Sequence, residues 1–234
     1  MFRIARTWLQ LAATALLLLV ATPAVFGGSI SVLPIQVCKT DGSDCANSGQ
    51  ELYSAYVTKI WAQASLVVNF LPWATLNNTG YQNFGTIPDE TAFFNDTANN
   101  GISGNAQVIT MWFVKTLTGG DYGTVDVIGG RKVMIADVTF TSNRYDTIAH
   151  ELGHNLGLSH GNTADFLMNS GLTRTIPTVI GDVNPDGAKL DKLSAAEITT
   201  VNSSTYVVPE PGSILLISGG LGILALVRKM KKSA

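Results

Sequence analysis

All three histidines of this 234-residue chain fall in one window, His150-Glu151-Leu152-Gly153-His154-Asn155-Leu156-Gly157-Leu158-Ser159-His160. That spacing dictates local structure. Residues i and i+4 share a helix face, so His150 and His154 can point two imidazoles at one ion. Gly157 can adopt the left-handed conformation that ends a helix and turns the chain back. His160 then arrives as a third nitrogen ligand. Three protein ligands with one position left open describe a catalytic zinc site, whereas structural zinc is closed by four. Glu151 lies one step round the helix, beside the open position and not on it. An H-E-x-x-H alone can arise by chance as surface residues of any helix; the added glycine and third histidine separate this window from that case.

The ends of the chain carry targeting chemistry and are set aside before the body is read. Arg3 and Arg6 precede an apolar run from Leu11 to Val20 and then small residues, with cleavage expected after Ala24 or near Gly27. Residues 1–28 are therefore expected to be a secretory signal peptide, the run being too short for a membrane span. At the other end, Pro209-Glu210-Pro211 precedes an apolar stretch from Ser213 to Val227 and the basic residues Arg228, Lys229, Lys231 and Lys232. Residues 208–234 resemble the PEP-CTERM sorting signal of Gram-negative bacteria. That resemblance implies recognition by an exosortase-like membrane protease, transient membrane association and delivery to the cell envelope or extracellular matrix. The alternative is a plain tail anchor. The stretch spans about 15 residues, roughly 22 Å of helix against a ~30 Å hydrocarbon core.

Residues 29–207 remain as one domain. The two ends hold six of the 15 lysines and arginines but only one of the 17 acidic residues, Glu210, so the body is distinctly acidic. Such a surface speaks against nucleic acid or anionic lipid as partner and suits an exported, soluble protein. Cys38 and Cys45 flank a short Gly-bearing turn and are expected to form a disulfide outside the cell. The alternative is a thiolate that blocks the metal, for which the surrounding sequence lacks the known motif.

The histidine window resembles the metzincin clan of zinc metallopeptidases. Asp165-Phe166-Leu167-Met168-Asn169-Ser170-Gly171 resembles that clan's Met-turn, with Met168 under the imidazoles. Two departures stand out. Gly161, after the third histidine, matches no subgroup, and Ser170 occupies the place where some members carry a tyrosine. The resemblance implies an α+β fold: a twisted mixed sheet, an N-terminal helix, the zinc-binding helix, and a small C-terminal subdomain with a last helix. It also implies a zinc-dependent endopeptidase with His150, His154 and His160 as ligands, Glu151 as general base toward water, and a peptide or protein substrate paired along a sheet edge. The rival is a non-catalytic exported surface or matrix protein that keeps the zinc for stability. A serine or cysteine hydrolase lacks a spare histidine for its base.

Along the body, the pattern predicts a strand over Ser29–Val37, with Pro34 at an edge or bulge. An amphipathic helix is expected from Ser48 to Ser65 and a strand over Leu66–Leu71. Asn77–Asn105 reads as a surface excursion with a short helix near Asp89–Asn95. Strands follow at Gln107–Leu117, Thr124–Ile128 and Arg131–Phe140. Thr141-Ser142 is expected to cap a zinc helix running from Asn143 to Leu156, and Ser194 and Glu197 to open the last helix with a capping box. Asp182-Val183-Asn184-Pro185-Asp186-Gly187 resembles the start of a calcium loop. Leu190 and Leu193 stand where the later oxygen ligands belong, which favours an Asx-rich turn; calcium is not assigned.

Overall fold

A computed structural model describes residues 27–170 and 173–209. Residues 1–26 of the expected N-terminal signal, and residues 210–234 of the expected C-terminal signal with Glu210, Pro211 and the apolar segment 213–227, lie outside the described residues. Gly27–Pro209 form one compact unit. No helix among the described residues is long and apolar enough to cross a membrane.

The fold is mixed α+β around a twisted mixed sheet. Strands β1 (Gly28–Cys38), β2 (Leu66–Phe70), β3 (Ala74–Asn77), β4 (Val108–Val114), β5 (Gly123–Val125) and β6 (Lys132–Ala136) order as β2-β1-β4-β6-β5, with β3 also on β1. Strands β1, β2, β3, β4 and β6 pair in parallel, while β5 runs antiparallel to β6 at the edge. A short β7 (Val208–Pro209) pairs antiparallel with the start of β1.

β4 explains why its sequence is an unbroken apolar run. All seven of its residues are buried, as befits a central parallel strand covered on both faces. Ile109, Met111 and Phe113 face helices α1 (Ser54–Ala62) and α4 (Thr147–Asn155), meeting Val57, Ile60, Trp61, Ile148 and Leu152. Trp112 and Val114 face the other way, against Phe84 and the Phe93 and Phe94 of helix α2 (Ile87–Asn95). The segment read as a surface excursion thus supplies the second core. Its Asn and Gly content marks the turns; its phenylalanines are paired at ring distances of 5.1–6.2 Å to Trp112.

Several boundaries differ from expectation. Pro34 lies in an interior strand, not at an edge. β2 pairs with β1 up to Val32 and β3 begins at Ile35, so the proline's missing donor falls where the neighbouring chain passes from one strand to the next. Helix α1 starts at Ser54 and not at Ser48. The Asn47 side chain bonds Glu51 in both directions, and Glu51 Oε1 accepts from the Leu52 and Tyr53 amides, which locks residues 47–53 into a loop. The strand expected through Phe140 ends at Ala136, and Val138–Thr141 form a single helical turn, α3. The zinc helix begins at Thr147, since Asn143 takes a left-handed conformation with φ of 53° and breaks any run from Ser142. The capping box holds: Ser194 N donates to Glu197 Oε2 at 2.6 Å, and Glu197 N to Ser194 Oγ at 3.2 Å, opening helix α5 (Ala195–Asn202).

Asp182 spends its carboxylate on the Thr178 and Val179 amides, and Asp186 pairs with Lys59 at 2.9 Å. These contacts make a capped turn of the calcium-like segment. Cys38 and Cys45 are disulfide-bonded. Replacing both with serine is expected to cost about 2–3 kcal/mol of stability, the loop-closure entropy of so short a ring. A denaturant titration of the reduced and oxidised protein checks it.

Candidate active site

Helix α4 carries His150 and His154 on one face because four residues separate them. Its end is set by Gly157 at φ of 97°. Leu158 N donates to Gly153 O and Gly157 N to His154 O, the crossed pair of bonds of a Schellman ending. That turn brings His160 back over the helix. The Nε2 atoms of His150 and His154 each lie 3.2 Å from Nε2 of His160. Three bonds of about 2.0–2.1 Å to one zinc ion, at near-tetrahedral angles, require nitrogen separations of about that size.

The tautomers fit as well. His150 Nδ1 lies 2.7 Å from Leu167 O, and His154 Nδ1 2.7 Å from Leu158 O. Nδ1–H donation to these carbonyls leaves each Nε2 lone pair toward the common centre. Burial holds the pKa of both imidazoles below the ordinary value, with the Arg174 charge adding to the effect, so they stay neutral. His160 is exposed and completes the group from the solvent side.

Glu151 is buried next to this centre and takes no part in the nitrogen cluster. Burial pushes its carboxyl up to about 8, with Arg174 pulling the other way. Gly123, on the edge strand β5, leaves the room it occupies: a Cβ there would stand 2.6 Å from Glu151 Cγ. Gly123→Ala is therefore expected to displace the carboxylate and lower kcat at least about 10-fold, given that a 1 Å misplacement can cost about 100-fold. Steady-state kinetics with a thermal melt as folding control checks it.

Met168 is fully buried and packed on Gly153 of the helix that carries His150 and His154, where a Cβ would meet its Sδ at 2.5 Å. Gly161 N donates to Met168 O at 2.7 Å, tying the segment after the third histidine to this turn. The three expected ligands and the expected base line one cleft, while Gly157 ends the helix that carries two of them and Met168 packs on its Gly153. Cys38 and Cys45 belong to the disulfide and not to this cluster. The cleft over the site measures about 710 Å³ and is bordered by β5 on one side and by Ser170 and Arg174 on the other.

Sequence reading missed Gly123, Gly153, Asp146 and both buried arginines. Asp146, fully buried, pairs with Arg174 Nη2 at 2.6 Å and with Arg144 Nε at 3.4 Å. Only their position beside the zinc helix and after Met168 could have hinted at this, and no periodicity marks it.

The family described as Metallo-peptidase family M12B Reprolysin-like matches residues 77–161, a stretch that includes all three histidines and Glu151. A chain in the solved structure of a chaperone–substrate complex shares the fold, with a TM-score of 0.50, 13% identity, and coverage of 77% of this chain and 35% of that one. Metalloproteinase-II from Bacteroides fragilis gives a TM-score of 0.46 and 16% identity, covering 77% of this chain and 54% of that one. An archaemetzincin from Methanopyrus kandleri gives 0.43 and 12%, covering 79% and 98%. This chain spans only about a third to a half of the first two structures. No curated protein gives a significant match.

Proposed function

We propose that this chain is an exported zinc-dependent endopeptidase. The observation that carries the reading is the convergence of three Nε2 atoms beside a buried carboxylate that is not one of the ligands. His150, His154 and His160 would hold the ion. When bound, zinc supplies Lewis-acid polarisation of a carbonyl and makes water more acidic.

The rest of the chemistry belongs to this chain's residues. Glu151 takes a proton from the attacking water as its oxygen bonds the peptide carbon. It then delivers that proton to the departing nitrogen as the C–N bond breaks. The carbonyls of Leu167 and Leu158 hold the first two imidazoles in one tautomer throughout. Among the described residues β5 pairs with β6 alone, so its other edge offers backbone groups with which an extended peptide can align as an added strand. The decisive experiment is cleavage of a mixed peptide pool by the purified body, with and without a chelator and with zinc added back. A zinc-stabilised but inert protein would give no cleavage under any condition.

Export and sorting follow from the two terminal segments. In this proposal residues 1–28 direct secretion, and the 213–227 segment tethers the protein until cleavage near Pro209-Glu210-Pro211 releases or transfers it. Mass spectrometry of the C-terminus in hosts with and without the sorting protease checks this. Retention of Lys231 and Lys232 on membrane-bound protein in both hosts would make the tail an ordinary anchor.

A further inference from the structure

The cleft beside the histidines runs into a pocket with two buried arginines; Arg174 also reaches His150 Nδ1, whereas among the described residues Arg144 makes no hydrogen bond with the metal-site residues. Arg144, in the turn before α4, lies with its guanidinium carbon 4.5 Å from the Tyr122 ring centroid and its Nε 3.4 Å from Asp146 Oδ1. Its side chain is 8% exposed, and among the described residues its two terminal nitrogens make no hydrogen bond. Arg174, more deeply buried, pairs with the same Asp146 and donates Nη1 to the carbonyls of Leu167 and Asn169. Thr147, the first residue of α4, is buried, and its hydroxyl has no partner among the described residues. Arg144, Thr147 and Arg174 all border the cleft together with His150 and Glu151.

A guanidinium kept for structure alone would have its five donors satisfied, because burying a charge with open donors is costly. Arg144 uses one. Stacking on Tyr122 and the Asp146 contact instead hold its planar fork in place with the free edge unspent, the arrangement that suits bidentate capture of a carboxylate. The two arginines also share a single directly paired carboxylate, that of Asp146. Other acids face the cluster. Asp191 is buried with both oxygens unbonded among the described residues, and burial, then Asp146, pushes its carboxyl up to about 7. Asp121 and Glu151 border the cleft on the metal side.

Resting on the peptidase reading above, we propose that this pocket binds a carboxylate of the peptide substrate, gripped by Arg144 and backed by the charge of Arg174. The carboxylate comes from an acidic side chain next to the scissile bond or from the end of the substrate chain. The protein thereby selects acidic peptides among those that fit the cleft.

The test uses the zinc-loaded protein and internally quenched peptides blocked at both ends. Asp is compared with Asn, and Glu with Gln, at each position flanking the cleaved bond. A second set leaves the terminal carboxylate free. The acidic member of one pair is expected to give a kcat/KM about 10- to 100-fold higher. Arg144→Gln should collapse that ratio toward one, and Arg144→Lys should keep part of it, with melts and zinc content confirming folded protein. A preference confined to peptides with free ends supports the pocket and assigns its carboxylate to the chain terminus. Cleavage with equal rates for acid and amide, and for free and blocked ends, overturns the pocket and leaves the peptidase reading standing. If no peptide is cleaved, the peptidase reading fails, and calorimetry decides the pocket by itself. Zinc-loaded Glu151→Gln protein should bind the acidic peptides at least about 10-fold more tightly than their amides, and equal affinities would overturn the proposal.

Discussion

Replacing Glu151 with glutamine is expected to lower kcat/KM for peptide cleavage by about 10²–10⁴-fold while leaving zinc content unchanged. The separation follows from position. Glu151 is buried beside the nitrogen cluster but contributes no ligand atom to it. Glutamine keeps the volume and the space above Gly123 yet cannot accept and return a proton. Metal analysis and a kinetic assay on one preparation read both halves. Near wild-type turnover would remove the base role, and loss of zinc comparable to a histidine variant would make Glu151 part of the metal site.

Stripping the metal should abolish activity and also weaken the fold. A ligand present at about 1,000 times its Kd stabilises the state that binds it by about 4 kcal/mol. For a domain of this size that corresponds to a fall in Tm on the order of 10 °C on chelation, reversed by zinc. His154→Ala should reproduce both effects irreversibly. Its imidazole is held between Leu158 O and the common centre, and no other histidine exists to replace it. Differential scanning calorimetry with and without chelator checks the shift. An unchanged Tm with full loss of metal would mean that the three imidazoles are pre-organised by packing alone.

The site was legible in the sequence to the extent that it is local. His150 and His154 share a face because the helix repeats every 3.6 residues, and Gly157 turns the chain because it can take positive φ at no cost. Both facts hold within eleven residues, so no long-range contact was needed to foresee them. The Ser194–Glu197 capping box was legible for the same reason, whereas Met168 was reached only through the resemblance to the metzincin Met-turn. Boundaries set by side chains reaching across a loop were not. The start of α1 depends on Asn47 and Glu51 bonding the backbone between them, and the start of α4 on the left-handed Asn143. The hydrophobic pattern continues through both regions and gives no sign of either interruption.

The sequence by itself determined that a histidine group suited to zinc, with an adjacent acid, would form, and that a strand would lie within Gln107–Leu117, realised as Val108–Val114. These follow from spacing and from runs of one residue class. The tertiary structure alone decided which remote residues surround that chemistry. Gly123 makes room for Glu151 from an edge strand 28 positions upstream in the chain. Asp146 draws Arg144 and Arg174 together from opposite sides of the histidine window, and Tyr122 lies under one of them. Each such pairing joins segments that carry no mark of the other. The backbone must first fold the sheet edge, the zinc helix and the turn after Met168 into contact before their side chains acquire a shared electrostatic meaning.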